Sequence, residues 1–198
     1  MVAVTDRPLL FFTSPADWEA WLAANHGHEG VRVQLRKKNS IAPGIVYSEA
    51  LDVALSWGWI DGQAGKVDDD YYSNGFSPRR ARSPWSKINR EHVARLIASG
   101  AMRPEGLAEV ERAKADGRWD AAYSQRDPVP DDLQAALNAS QAAAAFFATL
   151  TSQNRFAILF RIGNVTRAET RARKVAEFVA MLERGETIYP QKGTPDAR

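Results

Sequence analysis

Residues 79–90 combine basic, aromatic and hydroxyl side chains in a pattern typical of an anion-binding site. Guanidinium groups bind carboxylate or phosphate through paired hydrogen bonds, and the free first-turn amides of a helix beginning near Ser86 would face the same ligand. Trp85 would cover an apolar or aromatic part of it. We therefore predict a site for a small anionic or aromatic ligand formed by Arg79, Arg80, Arg82, Ser83, Trp85, Ser86 and Asn89.

A structural role is the alternative for this segment. Its arginines would then pair with Asp61 and with the acidic residues 68–70, and Trp85 would belong to the core. Nucleic-acid binding through the basic helices is a further alternative. No zinc-finger, homeodomain-like or RNA-binding signature accompanies those helices, so we do not expect nucleic acid as the partner.

Residues 57–62, Trp-Gly-Trp-Ile-Asp-Gly, are a second candidate site. Burial against large aromatic rings adapts a carboxyl group to general acid or base catalysis, so Asp61 is the candidate catalytic residue, with Trp57 and Trp59 beside the ligand. An enzyme of unassigned reaction would use Asp61 together with the arginines of residues 79–82. Ordinary turn chemistry is the alternative, because an Asp before a Gly commonly bonds nearby backbone amides.

A third cluster, residues 117–123, mixes aromatic surface with one charge pair. Trp119 and Tyr123 would either line the same ligand pocket or dock two helices against each other.

Several other chemistries are excluded. The chain has no cysteine, which removes disulfides, thiolate metal sites and cysteine nucleophiles. His26, His28 and Glu29 lie close together but lack a spaced fourth ligand, so we expect no metal site. Residues 62–67 lack the glycine spacing of a phosphate loop, and neither the nucleophile-elbow nor the dinucleotide-binding motif occurs. We expect no cofactor.

The patterning predicts the elements that must position these residues. Ser14 and Pro15 begin a helix over 15–25, and alternating polarity predicts a strand over 31–35. Ser48 would cap a second helix that ends at Gly58. Residues 63–78 predict a strand or hairpin with a turn at Asn74-Gly75.

The remainder of the chain is predicted to be helical, with a capping box at residues 166–169 and spans 86–99, 104–116, 131–138, 141–150, 152–162 and 167–184. The fold class is therefore α+β, with a small N-terminal α/β portion of a few strands followed by a mainly helical C-terminal portion. We place the boundaries at 1–127 and 128–190 with a loose tail over 191–198, although the chain could form one compact unit.

Composition bounds the class of protein. The 198 residues carry a formal charge of +2 and are 44% hydrophobic, as expected of a globular protein. The first residues lack a signal-peptide pattern, and the uncharged residues 133–154 contain too many polar side chains for a membrane span. We expect a cytoplasmic protein without a membrane span; its protein partners and oligomeric state stay open.

The chain resembles the YdeI/OmpD-associated family (OmdA), often labelled bacteriocin-protection proteins, over residues 11–184. The resemblance depends on residues 18–22, 37–38, 47–52, 58–62, 79–89, 117–123 and 169–173, and it adds Lys38 to the candidate ligand-binding residues. Val165-Thr166 departs from the Ala-Lys pair usual in that family. The resemblance implies a link to stress or to tolerance of cationic peptides and bacteriocins, and it implies no established reaction.

Overall fold

The chain folds into two units, Met1–Ala122 and Tyr123–Arg198, in the computed structural model, which describes residues 7–124 and 127–191. Strands are found only in the first unit among these residues, which confirms the α+β class. None of the helices within these residues combines the length and the apolar composition of a membrane span. The predicted tail lies outside them from residue 192 onward, and the predicted boundary after residue 127 stays a prediction.

The first unit contains four strands and four helices within its described residues. In chain order they are β1 (Leu9–Phe11), α1 (Pro15–Asn25), β2 (Val31–Arg36), α2 (Tyr47–Ser56), β3 (Trp59–Lys66), β4 (Tyr71–Pro78), α3 (Lys87–Ala98) and α4 (Pro104–Ala115). The second unit contains α5 (Asp131–Asn138), α6 (Gln141–Ala148), α7 (Ser152–Gly163) and α8 (Ala168–Glu183).

The sheet has the order β1-β2-β4-β3, with β1 parallel to β2 and the other pairs antiparallel. Strand β1 was not predicted, because a run of three residues shows no periodicity. The turn predicted at Asn74-Gly75 was wrong. Both residues lie inside β4, where Gly75 lies opposite two residues of β3, Gly62 and Gln63, at a β-bulge. The chain reverses over residues 67–70 instead.

Helix α2 is covered on two sides. Ala50 and Ala54 pack into the core between helices and sheet, which includes Trp18, Trp59 and Phe76. Leu51 and Leu55 pack into a second core with residues of α3 and α4, Trp85 among them. The spacing of small and large apolar residues along α2 thus joins the sheet to the two following helices. Gly58 follows the end of α2 and has a φ of +73°, which confirms the predicted left-handed helix terminator.

Helix caps differ in part from the predictions. The box at Ser14 is confirmed, with Asp17 N donating to Ser14 Oγ and Ser14 N donating to the Asp17 carboxylate. Ser48 does not cap α2, because the helix begins one residue earlier and Glu49 accepts from the amide of Val46. The box predicted at residues 166–169 is also wrong, since α8 begins at Ala168 after Arg167 and has no side-chain cap.

The second unit has its own apolar core. It is formed by Leu133 and Leu137 of α5, Ala143 and Phe147 of α6, Ile158 and Ile162 of α7, and Val175, Phe178 and Leu182 of α8. No tryptophan contributes to it, because all six tryptophans of the chain belong to the first unit.

Gly106 of α4 packs against the end of α2, where a Cβ at residue 106 would lie 2.2 Å from the carbonyl oxygen of Ser56. Gly106→Ala should therefore lower the free energy of unfolding by about 1–3 kcal/mol, although alanine ordinarily stabilises a helix. Urea denaturation measures this change. Gly163→Ala in α7 is the matched control, since nothing lies within 4 Å of its added Cβ. We expect it to stabilise the protein by up to about 1 kcal/mol; an equal gain in both variants would contradict the predicted clash.

Candidate anion site

A cavity of about 310 Å³ lies where the ends of three strands meet in the first unit. Its lining residues are Arg7, Gly27, His28, Glu29, Pro78, Arg79 and Arg80, and we call it the arginine cavity. Parallel pairing places the starts of β1 and β2 at the same sheet edge, and the antiparallel β4 ends there. Residues far apart in the sequence therefore meet at one place.

Arg79 is the buried member of the set, with 5% of its surface exposed. Its amide donates to Gly58 O at 3.0 Å, and its Nη1 donates to Pro84 O at 3.2 Å. The guanidinium carbon lies 3.5 Å from the centre of the Trp85 ring. The sequence predicted Arg79 in the site, and the structure assigns it a second role in packing Trp85.

Arg80 and Arg82 occupy different environments in the loop that follows. Both are exposed, but Arg80 lines the arginine cavity and Arg82 does not. The Arg80 amide donates to Ser83 Oγ at 3.0 Å, and the Ser83 amide donates back to Arg80 O. Ser83 therefore holds the turn that presents Arg80.

Sequence reasoning missed Arg7, and it considered His28 and Glu29 only as metal ligands. Gly30 makes room for Arg7: a Cβ at residue 30, whose φ is +129°, would lie 2.5 Å from Arg7 Nη1. The amide of Gly30 donates to His28 Nδ1 at 3.1 Å. No spacing in the sequence could have grouped these residues, because strand pairing brings them together.

The lining of the arginine cavity suits a small anion. Three arginines and one acidic residue, Glu29, belong to its lining, so the lining residues carry a net positive charge. Guanidinium groups supply the planar donor pairs that match carboxylate and phosphate oxygens. The volume lies at the lower end of the range for small-molecule sites, which favours a ligand of a few heavy atoms over a nucleotide.

The start of α3 is closed by its own side chain. Ser86 Oγ accepts from the amide of Asn89 at 3.1 Å, so that first-turn donor is already used. Asn89 is buried, and Trp85, which is 2% exposed, packs edge-on against the half-buried Trp119 with ring centres 4.9 Å apart. Arg90 also donates to Trp119 O. The segment that contains Arg79 thus packs against a structural cluster formed by Trp85, Ser86, Asn89 and Trp119.

Asp61 is half-buried on β3, and its Oδ2 accepts from the hydroxyl of Tyr47 at 2.8 Å. In the sheet Asp61 pairs with Phe76, three residues before Arg79. Asp61 does not line the arginine cavity, whereas Arg79 does. The catalytic role predicted for Asp61 stays a prediction.

The remaining candidate residues are dispersed. Trp59 is in the core, with its ring edge-on to Trp18, and Trp57 is half-buried with its ring stacked near that of His26. Lys38 is exposed in the loop after β2. Tyr123 belongs to the second unit, where it packs against Phe156 and Phe160.

Glu109 of α4 interacts electrostatically with Arg79. Burial raises the pKa of the Glu109 carboxyl, while the guanidinium groups of Arg112, Arg79 and Arg118 lower it by smaller amounts. Glu109 also forms an ion pair with Arg112. A carboxylate with a desolvation penalty therefore balances the charge of the buried Arg79.

Two family models match the chain. A domain of unknown function, DUF8412, matches residues 10–109, and the OmdA family, described as bacteriocin-protection, YdeI or OmpD-associated, matches residues 128–185. The second match confirms the predicted family resemblance for that segment. No curated protein and no solved structure matches the chain.

Glu109→Gln tests the energetic effect of the partly buried Glu109 carboxylate. The raised pKa means that the folded chain binds the proton before the unfolded chain does as the pH falls, so the wild type gains stability on acidification. Residue 109 of the variant carries no charge at any pH, so the variant lacks this gain in stability. We expect the unfolding free energy of the wild type minus that of Glu109→Gln to increase from about pH 7 to about pH 4.

Urea denaturation at several pH values measures this difference. Glu111→Gln removes an exposed carboxylate from the same helix and is the control. A difference that stays flat or decreases on acidification would contradict the assigned effect of burial.

Proposed function

We propose that this chain, which belongs to the DUF8412 family and carries an OmdA-matching segment at residues 128–185, binds a small anionic ligand in the arginine cavity. The observation that carries the proposal is the convergence of Arg7, Arg79 and Arg80 on one cavity of about 310 Å³ with a single opposing carboxylate. The ligand class is a small molecule with a carboxylate or phosphate group, because those groups match the guanidinium donors.

Arg79 and Arg80 contribute to binding in different ways. Arg79 is fixed by its hydrogen bonds and by its contact with Trp85, so it supplies positive charge at a position that is set before the ligand arrives. Arg80 is exposed and can close on the ligand from solvent. Preorganised donors bind more tightly, since less conformational entropy is lost on association.

Substitution of Arg80 tests this site. Arg80→Ala should weaken binding of inorganic phosphate, a sugar phosphate or succinate, whichever the wild type binds, by about 10- to 100-fold, the range for a lost charge-assisted hydrogen bond. Isothermal titration calorimetry measures the affinity. Arg82→Ala, two residues away and outside the cavity, is the matched control and should change the affinity less than about twofold.

Glu29→Gln gives a test of opposite sign. It removes the one carboxylate of the lining and should tighten anion binding. The proposal fails if none of the three probes binds the wild type, or if Arg82→Ala weakens binding as much as Arg80→Ala.

We extend the proposal to bacteriocin tolerance, because the OmdA family matched at residues 128–185 is described as bacteriocin-protection. We also propose that the protein acts from the cytoplasm, the location expected from its sequence. Expression of the chain in a bacteriocin-sensitive bacterium should raise survival above that of the empty-vector control. Arg80→Ala then shows whether protection requires the arginine cavity, and cell fractionation tests the location. Survival equal to the control contradicts this part of the proposal and leaves anion binding unaffected.

A further inference from the structure

His28 belongs to the lining of the arginine cavity, and histidine is the residue type that ordinarily changes its charge between about pH 5 and pH 8. It lies in the loop between α1 and β2 and is exposed, so it exchanges protons with solvent. Its contact with α1 is a neutral one, since its ring packs edge-on against that of Trp21 with ring centres 5.6 Å apart. A titratable ring is thus part of the site that we propose for the anion.

One hydrogen bond connects the charge of this ring to the loop. The amide of Gly30 donates to His28 Nδ1 at 3.1 Å. A protonated imidazole carries a hydrogen on both nitrogens, so it has no lone pair with which to accept this bond. Protonation of His28 therefore removes the acceptor of the Gly30 amide, and Gly30 is a buried residue. The local structure of the loop opposes protonation of the ring.

The charged groups around His28 come from three parts of the first unit. Arg7 precedes β1, Arg79 and Arg80 follow β4, and Glu29 is the next residue of the loop; all four line the cavity together with His28. The three arginines oppose a further positive charge on the ring, whereas Glu29 alone among them favours it. A bound anion reverses this balance, because it attracts an imidazolium and offsets the charge of the arginines.

We propose that binding of a carboxylate or phosphate group in the arginine cavity is coupled to protonation of His28, so that the ring takes up a proton from solvent when the anion binds. This inference rests on the function proposed above. Coupling between two binding events is reciprocal, so protonation of His28 strengthens anion binding by the same factor. The cavity therefore binds its ligand more tightly as the pH falls and releases it as the pH rises.

His28→Asn tests the coupling, because asparagine does not titrate and its Oδ1 can accept from the Gly30 amide in place of Nδ1. Isothermal titration calorimetry at about pH 8 and about pH 5.5 measures the affinity for inorganic phosphate, a sugar phosphate and succinate. We expect the ratio of the wild-type affinity to that of His28→Asn to increase at least about fivefold on acidification, the lower end of the usual range for coupled sites. Titration of the probe itself is common to both proteins and cancels in this ratio.

His26→Asn is the matched control. His26 is exposed and lies two residues before His28, but it does not line the arginine cavity. We expect this variant to keep the pH dependence of the wild type. His28→Gln is a second non-titrating variant in case His28→Asn does not fold.

Proton uptake gives a second readout of the coupling. Calorimetry in two buffers that differ in their enthalpy of ionisation measures the number of protons taken up with the anion. That number should be smaller in His28→Asn than in the wild type and unchanged in His26→Asn.

The outcomes separate the coupling from anion binding itself. If none of the three probes binds the wild type, both proposals fail. If a probe binds but the affinity ratio stays constant with pH, or His28→Asn takes up as many protons as the wild type, the coupling is overturned and anion binding stands. An equal loss of pH dependence in His26→Asn also overturns the coupling, because the effect would then not depend on the lining of the cavity.

Discussion

The guanidinium group of Arg79 is buried, and a buried cation must be balanced by its neighbours. The ring of Trp85 covers one face, Pro84 O accepts a hydrogen bond, and the carboxylate of Glu109 supplies opposite charge. These groups come from the loop before α3 and from α4, while the Arg79 amide bonds Gly58 beyond α2. Through its side chain and its amide, Arg79 thereby connects the end of β4 to three helices. Arg79 also lines the cavity, so the anion site and the packing of the first unit depend on the same residue.

Strand direction explains why the cavity has its composition. Because β1 and β2 run in parallel, Arg7 before one strand and Gly30 before the other lie at the same edge of the sheet, and β4 delivers Arg79 and Arg80 to that edge. The absence of a side chain at Gly30 leaves space for the Arg7 guanidinium. The site is therefore a product of topology, and its residues need no common motif.

The helices were predictable from the sequence where they have a local signal, such as the box at Ser14 or the glycine at residue 58, although the caps predicted at Ser48 and at residues 166–169 were wrong. The turn predicted at Asn74-Gly75 was wrong because strand pairing overrides this local signal. The register with β2 and the bulge in β3 place both residues inside a strand. The residues of the site differ in the same respect, since some have a local signal in the sequence and others do not. Arg79 and Arg80 were found as a charged cluster in sequence, whereas Arg7 required knowledge of a three-residue strand.

The distribution of tryptophan has a practical consequence. All six indole rings belong to the first unit, several of them within its two apolar cores, and the core of the second unit is built from leucine, isoleucine, valine, alanine and phenylalanine. Indole fluorescence is therefore a property of the first unit alone. The emission spectrum reports the solvent exposure of the half that contains the arginine cavity, and unfolding confined to the four-helix half would leave the indole rings in their native packing.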